Sequence, residues 1–296
     1  MPTSSARTLQ PNLILGAGAM SEDVKLSAYL DRIGYSGSIA PTLQTLEALH
    51  LLHPAAIPFE NLNSLLGLPV LLDQASLNQK LLVEHRGGYC FEHNILLLRV
   101  LVDLGYDVRC HAARVLWGRA QAGAAEPTHM VLTVDIGGAS YLADVGFGGL
   151  TLTAPLKLRT GVEQETPGGR FRLGGEGEDL LLEVERGPDD WRPVYSFARA
   201  ETDEAGFVAL NERLGADPDW FFHHHLLVEL SPRSGRRMLV DNRLTRDGEA
   251  GREVRTLGTI AELREALLGE FGIDLAGLAG LDAVLARLIA QAVAIP

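Results

Sequence analysis

The chain has 296 residues, 46% apolar and 22% charged, with a formal net charge of −12. That length supports a large core and one to three domains, and the acidic balance argues against non-specific binding to nucleic acid or to an anionic membrane. No apolar run is long enough to span a bilayer. The two cysteines cannot build a disulfide framework, which fits a reducing, cytoplasmic location.

Residues 1–23 mix Ser, Thr, Pro and Gly around Leu13-Ile14-Leu15. They read as a disordered tail, with an apolar piece too short for a signal peptide. Met20-Ser21-Glu22-Asp23 would make a natural start, with acidic residues at the head of the next helix. Residues 24–105 read as helical. Leu26, Tyr29, Leu30 and Ile33 fall at helical spacing up to Gly34, and Pro41-Thr42 open a second helix carrying Leu43, Leu46 and Leu49. A third covers 77–82. A fourth starts at Cys90 and ends near Gly105. From about 106 to 200 the pattern turns to strands at 107–117, 129–136, 140–145, 170–173, 180–184 and 193–197, separated by Gly/Pro/Asp-rich turns. This predicts an antiparallel sheet or small barrel. From about 201 onward the pattern is mixed. A helix near 203–214 precedes strands at 226–231 and 236–241, and helices at 259–271 and 278–293 finish the chain.

Arg86-Gly87-Gly88-Tyr89-Cys90-Phe91-Glu92-His93-Asn94 places a cysteine at the start of a buried helix. Unpaired N–H groups there favour an anion, so a thiol at this position is expected to ionise more easily and to act as a nucleophile. Such a nucleophile needs a base, and the base needs an orienting group. His129 begins one predicted strand and Asp144 ends the next. With Gly137-Gly138 as a two-residue turn, residues pair with indices summing to 275, which puts His129 and Asp144 on one face as diagonal neighbours. A carboxylate beside the imidazole would fix its tautomer. Singly, each residue has a plainer reading: Cys90 as core filler, His129 as a satisfied polar residue, Asp144 as a turn former. Together they form a candidate Cys-His-Asp site.

Weaker features carry less. His223-His224-His225, read as a strand, would send adjacent side chains to opposite faces, so no metal is expected. Cys110 beside His111 reads as a small buried residue. Gly146, Gly148 and Gly149 around Phe147 suit either a turn or a close backbone approach to a ligand.

The combined pieces resemble the arylamine N-acetyltransferase family. They are His53-Pro54-Ala55-Ala56-Ile57-Pro58-Phe59-Glu60-Asn61-Leu62, Arg86 to Asn94, Thr128-His129-Met130 and Ala143-Asp144-Val145-Gly146-Phe147-Gly148, with weaker similarity through Trp191-Arg192-Pro193-Val194-Tyr195. The resemblance implies an α+β fold: an N-terminal helical bundle (24–105), a central antiparallel β-barrel (106–205) and a C-terminal α/β lid (206–296), around a papain- or transglutaminase-like Cys-His-Asp core. It implies that Cys90, His129 and Asp144 form a triad. Acetyl would pass from acetyl-CoA to Cys90 and then to a small aromatic amine or hydrazine, in ping-pong order and without a metal. It further implies that Glu60 and Arg86 form a supporting ion pair, that Phe59, Val115 and Phe147 line the acceptor pocket, and that the backbone at Gly148 lies near the entry of the acyl donor. Trp220 stands where a small serine is common, in a segment near the cofactor cleft. Two readings use the same triad: an amide synthase releasing a polyketide as a macrolactam, and a cysteine hydrolase. A non-catalytic binding module is a third.

Overall fold

The computed structural model describes residues 23–118, 126–175 and 177–293; the expectations for the tail, and for a start at Met20, lie outside them. Helix α1 (Leu26–Ile33) stops at Gly34, whose φ of 68° is the left-handed conformation that glycine adopts most cheaply. Thr42 caps α2 (Leu43–Ala56) by accepting the Thr45 N–H. Pro54, in the last turn of α2, precedes an extended exit through Ile57 into a two-residue strand, β1 (Phe59–Glu60). Two short helices follow, α3 (Leu62–Leu65) and α4 (Gln74–Leu77). The helix expected at 77–82 begins earlier and widens into a π-helical turn over Asn78–Val83. Helix α5 (Cys90–Asp103) is the buried one. Phe91, Ile95, Leu96, Leu97, Val100 and Leu101 are all fully buried, each side chain contributing about 1.5–3 kcal/mol of hydrophobic stabilisation.

The barrel is built from β2 (Asp107–Val115), β3 (His129–Ile136), β4 (Ala139–Ala143), β5 (Leu156–Lys157), β6 (Glu163–Thr166), β7 (Gly169–Gly174), β8 (Asp179–Glu185) and β9 (Trp191–Ala198). The order is β5-β4-β3-β2-β9-β8-β7-β6, antiparallel throughout. Gly137 and Gly138 both take positive φ in the β3–β4 turn, and the register is the expected one: Ile136 faces Ala139 and Leu132 faces Ala143. At the seam between β5 and β6 the Gln164 side chain acts as a strand peptide. Its Oε1 accepts the Lys157 N–H and its Nε2 donates to the Lys157 carbonyl. The barrel core holds Leu142, Phe171, Tyr195 and Phe197.

Helix α6 (Glu204–Ala216), capped by Asp203, buries Phe207 and Leu214 in the core of the helical bundle. A helical turn, α7 (Phe221–His224), leads to β10 (Leu227–Leu230), β11 (Gly235–Val240), β12 (Arg243–Gly248) and β13 (Gly251–Thr256). These form a second sheet in the order β1-β10-β11-β12-β13, so β1 joins the lid as its edge strand. Helix α8 (Ile260–Glu265), continued by a π-helical turn at Ala266–Glu270, and helix α9 (Leu281–Val293) cover this sheet through Leu263, Leu267, Leu285 and Leu288.

Candidate active site

Cys90 is the first residue of α5, after Tyr89 in extended conformation. The Glu92 carboxylate reaches back to accept the Tyr89 N–H at 2.9 Å and takes a hydrogen bond from Lys80 Nζ at 2.7 Å. The thiol donates to the Thr128 carbonyl over 3.7 Å, so the nucleophile candidate lies against the residue that precedes His129. The surroundings oppose the expected ease of ionisation. Burial pushes the Cys90 thiol well up, the Asp144 and Glu92 charges add to that, and backbone hydrogen bonds of Phe91 and Met130 oppose it without prevailing. A helix start alone does not make a thiolate in this site; the proton needs a base to receive it.

His129 Nε2 donates to Asp144 Oδ2 at 2.8 Å, with the two side chains 2% and 0% exposed. Because that donor is Nε2, Nδ1 is the nitrogen left free to accept a proton. Burial works against ionisation of Asp144, but His129, the Asn94 side chain and the Gly146 N–H outweigh it and hold the carboxyl below its usual range. Tyr195 lies close by, its ring 5.2 Å from that of His129. Burial, with the Asp144 carboxylate beside it, raises its hydroxyl well above the ordinary phenol range.

Asp144 is further held from α2. Its backbone N–H donates to His50 Nε2 at 3.0 Å. A second chain of imidazoles runs beneath the site. His93 Nε2 faces the Pro58 carbonyl at 3.1 Å, and a carbonyl only accepts, so this nitrogen carries the proton. His93 Nδ1 therefore accepts from His53 Nε2 at 2.8 Å, and His53 Nδ1 accepts from the Tyr29 hydroxyl at 3.0 Å. Every proton in the chain is assigned with both rings neutral. Burial depresses His50 and His93 to about 4 and His53 well below its ordinary value.

Glu60 and Arg86 meet as a buried pair. Arg86 Nε and Nη2 donate to Glu60 Oε1 at 2.9 and 2.6 Å, and Glu60 Oε2 accepts the Leu62 N–H. Burial opposes ionisation of Glu60, but Lys80 and Arg86 reverse its effect and lower the carboxyl. The pair anchors β1 to the segment before Cys90, where the Glu60 N–H donates to the Gly88 carbonyl at 2.7 Å. Gly87 permits the approach: a Cβ there would lie 1.9 Å from the Pro58 carbonyl oxygen.

Phe59 stacks on His93 with rings 6.2 Å apart, and Phe147 stands perpendicular to His129 at 5.2 Å. Val115 ends β2 opposite Tyr195. Gly148 has φ +70°, and a Cβ on it would come within 2.9 Å of the Phe59 ring, so this backbone lies directly on the aromatic wall. The segment is tied to the lid by Glu229, which accepts the Gly149 N–H, and by Arg236, whose Nη1 donates to the Gly149 carbonyl at 2.6 Å. Trp220 packs edge-on against Phe222 at 5.1 Å, and Phe222 reaches both Phe59 and Tyr89 at 6.0 Å. Trp220 lines a cavity of about 360 Å³ with Thr128 and Phe221, and a larger one of about 1060 Å³ with Tyr89, Val70 and Val208.

The histidine run is not a strand. His223 and His224 belong to a helical turn, and His225 Nδ1 pairs with Asp241. Among the described residues no cluster of His, Cys, Asp and Glu is placed to hold a metal ion. Asn94, His50 and Tyr195 escaped the sequence reading. Asn94 alone had a visible signal, an amide one helical turn from the cysteine and directly before the apolar run Ile95–Leu98.

With a helical bundle, an antiparallel barrel and an α/β lid around Cys90, His129 and Asp144, the fold is that of an acyltransferase. Residues 42–279 match the family model described as N-acetyltransferase. An arylamine N-acetyltransferase of Mycolicibacterium smegmatis is 39% identical over 262 residues, covering 87% of this chain and 94% of the relative. One from Escherichia coli K12 is 38% identical over 250 residues, 84% of this chain and 88% of the relative. The structure of Mycobacterium marinum arylamine N-acetyltransferase in complex with CoA superposes with a TM-score of 0.84 at 36% identity, covering 89% of this chain and 99% of that one. The chain belongs to the arylamine N-acetyltransferase family.

Proposed function

We propose that the protein transfers acetyl from acetyl-CoA to aromatic amines and hydrazines by a ping-pong route through acetyl-Cys90. The observation that carries this reading is the buried His129–Asp144 pair, which begins one residue from the carbonyl that the Cys90 thiol touches. In the first half-reaction the Cys90 sulfur attacks the thioester carbonyl as His129 Nδ1 takes the thiol proton. The carbon–sulfur bond to CoA breaks, and the imidazolium returns the proton to the departing CoA thiolate. In the second, the amine nitrogen attacks the acetyl-cysteine, His129 takes a proton from nitrogen, and the Cys90 sulfur leaves and is reprotonated. Asp144 stabilises the imidazolium in both steps. The thioester donor and the acyl-cysteine are close in energy, so neither metal nor ATP enters the scheme.

Phe59, Phe147 and Val115 supply apolar walls suited to an aromatic acceptor, and the names of the relatives point to arylamines. The test is thiol release from acetyl-CoA with and without a panel of anilines and hydrazines. The reading expects release to stop after one equivalent per enzyme until an acceptor is added. Sustained release without acceptor would identify a hydrolase. A single equivalent with no turnover on any small amine would favour the amide synthase.

A further inference from the structure

The β3–β4 ladder ends at the pair Leu132–Ala143, just short of the point where the two strands deliver His129 and Asp144. Continuing the same register would set Met130 opposite Val145. These two residues are instead bridged by a side chain from the nucleophile helix. Asn94 Nδ2 donates to the Met130 carbonyl at 2.8 Å, and Asn94 Oδ1 accepts the Val145 N–H at 3.1 Å. The carboxamide takes the place of a strand peptide, as Gln164 does at the barrel seam. Its second N–H donates to Asp144 Oδ1 at 2.9 Å, so both amide protons are used. The amide has only one workable orientation, with nitrogen toward two acceptors and oxygen toward one donor. Asn94 is fully buried and lies four residues after Cys90 on α5, one turn along the same face.

We propose that Asn94 is a positioning residue for acyl transfer: its carboxamide wedges open the β3–β4 ladder and locks the nucleophile helix to the strands carrying His129 and Asp144, with the Asp144 carboxylate turned toward His129. The proposal rests on the triad reading above. Asn94 touches no reacting atom. It acts through Asp144 Oδ1, leaving Oδ2 to His129. The other titratable groups around that carboxylate are His129, His50, Tyr195 and Cys90.

The test uses the full chain and single-turnover acylation by acetyl-CoA, followed by intact mass across pH, for wild type, Asn94→Leu, Asn94→Asp and Leu97→Ala. Leu97, buried in the same helix, serves as a control for simple destabilisation. Asn94→Asp keeps the shape and the acceptor for Val145 but replaces the two amide donors with a carboxyl that competes with Asp144 for a proton, which covers the case in which Asn94→Leu does not fold. Folded Asn94 variants are expected to acylate about ten- to a hundredfold more slowly, the range associated with losing a hydrogen bond to a charged group. Removing a donor to ionised Asp144 raises that carboxyl, so the acid limb of the rate profile should move to higher pH, while Leu97→Ala keeps the wild-type limb. A folded Asn94→Leu or Asn94→Asp that acylates within twofold of wild type, or slows with an unmoved acid limb, overturns the assignment of Asn94 alone. A wild-type protein that forms no Cys90 adduct overturns the triad reading and this proposal with it.

Discussion

His129 Nε2 and Asp144 Oδ2 lie 2.8 Å apart in a setting almost closed to solvent, which commits the imidazole to one tautomer with Nδ1 as its base. Asp144→Asn keeps the size and one hydrogen bond but cannot stabilise an imidazolium, and it permits the opposite tautomer. The acylation rate should fall on the order of a thousandfold or more, by analogy with serine-protease triads, with circular dichroism unchanged. Iodoacetamide alkylation of Cys90 at neutral pH should fall with it; alkylation at the wild-type rate would count against the pair as the base.

The buried imidazoles predict acid sensitivity. His50 and His93 are depressed to about 4 and His53 further, in each case chiefly by burial. Above about pH 6.5 they are neutral in both the folded and the unfolded chain. Below it the unfolded chain binds protons that the folded one refuses, so stability falls as pH drops toward 4, by up to about 1.4 kcal/mol per pH unit for each imidazole. Melting temperature should decline as pH falls from about 6.5 toward 4. A flat profile over that window would show that these rings are charged or solvated.

Arg86→Gln leaves Glu60 buried without the guanidinium that donates twice to its Oε1. Losing one member of such a pair costs about 3–5 kcal/mol, and Lys80, 4.0 Å from Glu60, offsets part of it. The variant should melt well below wild type, while the folded fraction still acylates Cys90. Unchanged melting with lost acylation would instead place Arg86 in the chemistry.

Trp220 lines both cavities flanking Tyr89 and Thr128. Trp220→Ser should alter KM for acetyl-CoA, or tolerance for longer acyl groups, more than KM for an aniline. Timing the acylation half-reaction with acetyl- and propionyl-CoA isolates the donor side. Unchanged acylation combined with altered selectivity among amines would move Trp220 to the acceptor pocket, which it could reach through Phe222 and Phe59.

Much of this fold is legible where periodicity is strong. The helix starting at Cys90, the strand His129–Ile136 and the hairpin register around Gly137-Gly138 follow from apolar spacing and turn chemistry alone. The missed strands carry no such signal. β13 is exposed along its whole length, and β12 is rich in charge, so neither shows the alternation that marks a half-buried strand. β1 and β5 have two residues each. The helix at 77–82 was visible, but its π-turn was not, because the apolar pattern does not distinguish the two windings over so few residues. In the site, Cys90, His129 and Asp144 could be found because their residue types announce chemistry. Asn94, His50 and Tyr195 act through contacts over long sequence separations, 50 residues from Asn94 to Asp144 and 94 from His50 to Asp144, which one sequence cannot reveal. The thiol misled in the other direction: its helix position suggested easy ionisation, whereas burial dominates.

Whether Cys90 carries the acyl group is read from the intact mass of the protein after brief exposure to acetyl-CoA without acceptor. A single acetyl adduct is expected on wild type and on Cys110→Ala, discharged on addition of an aniline, and none on Cys90→Ala. An adduct that persists in Cys90→Ala, or none on wild type, would show that Cys90 does not carry the acyl group.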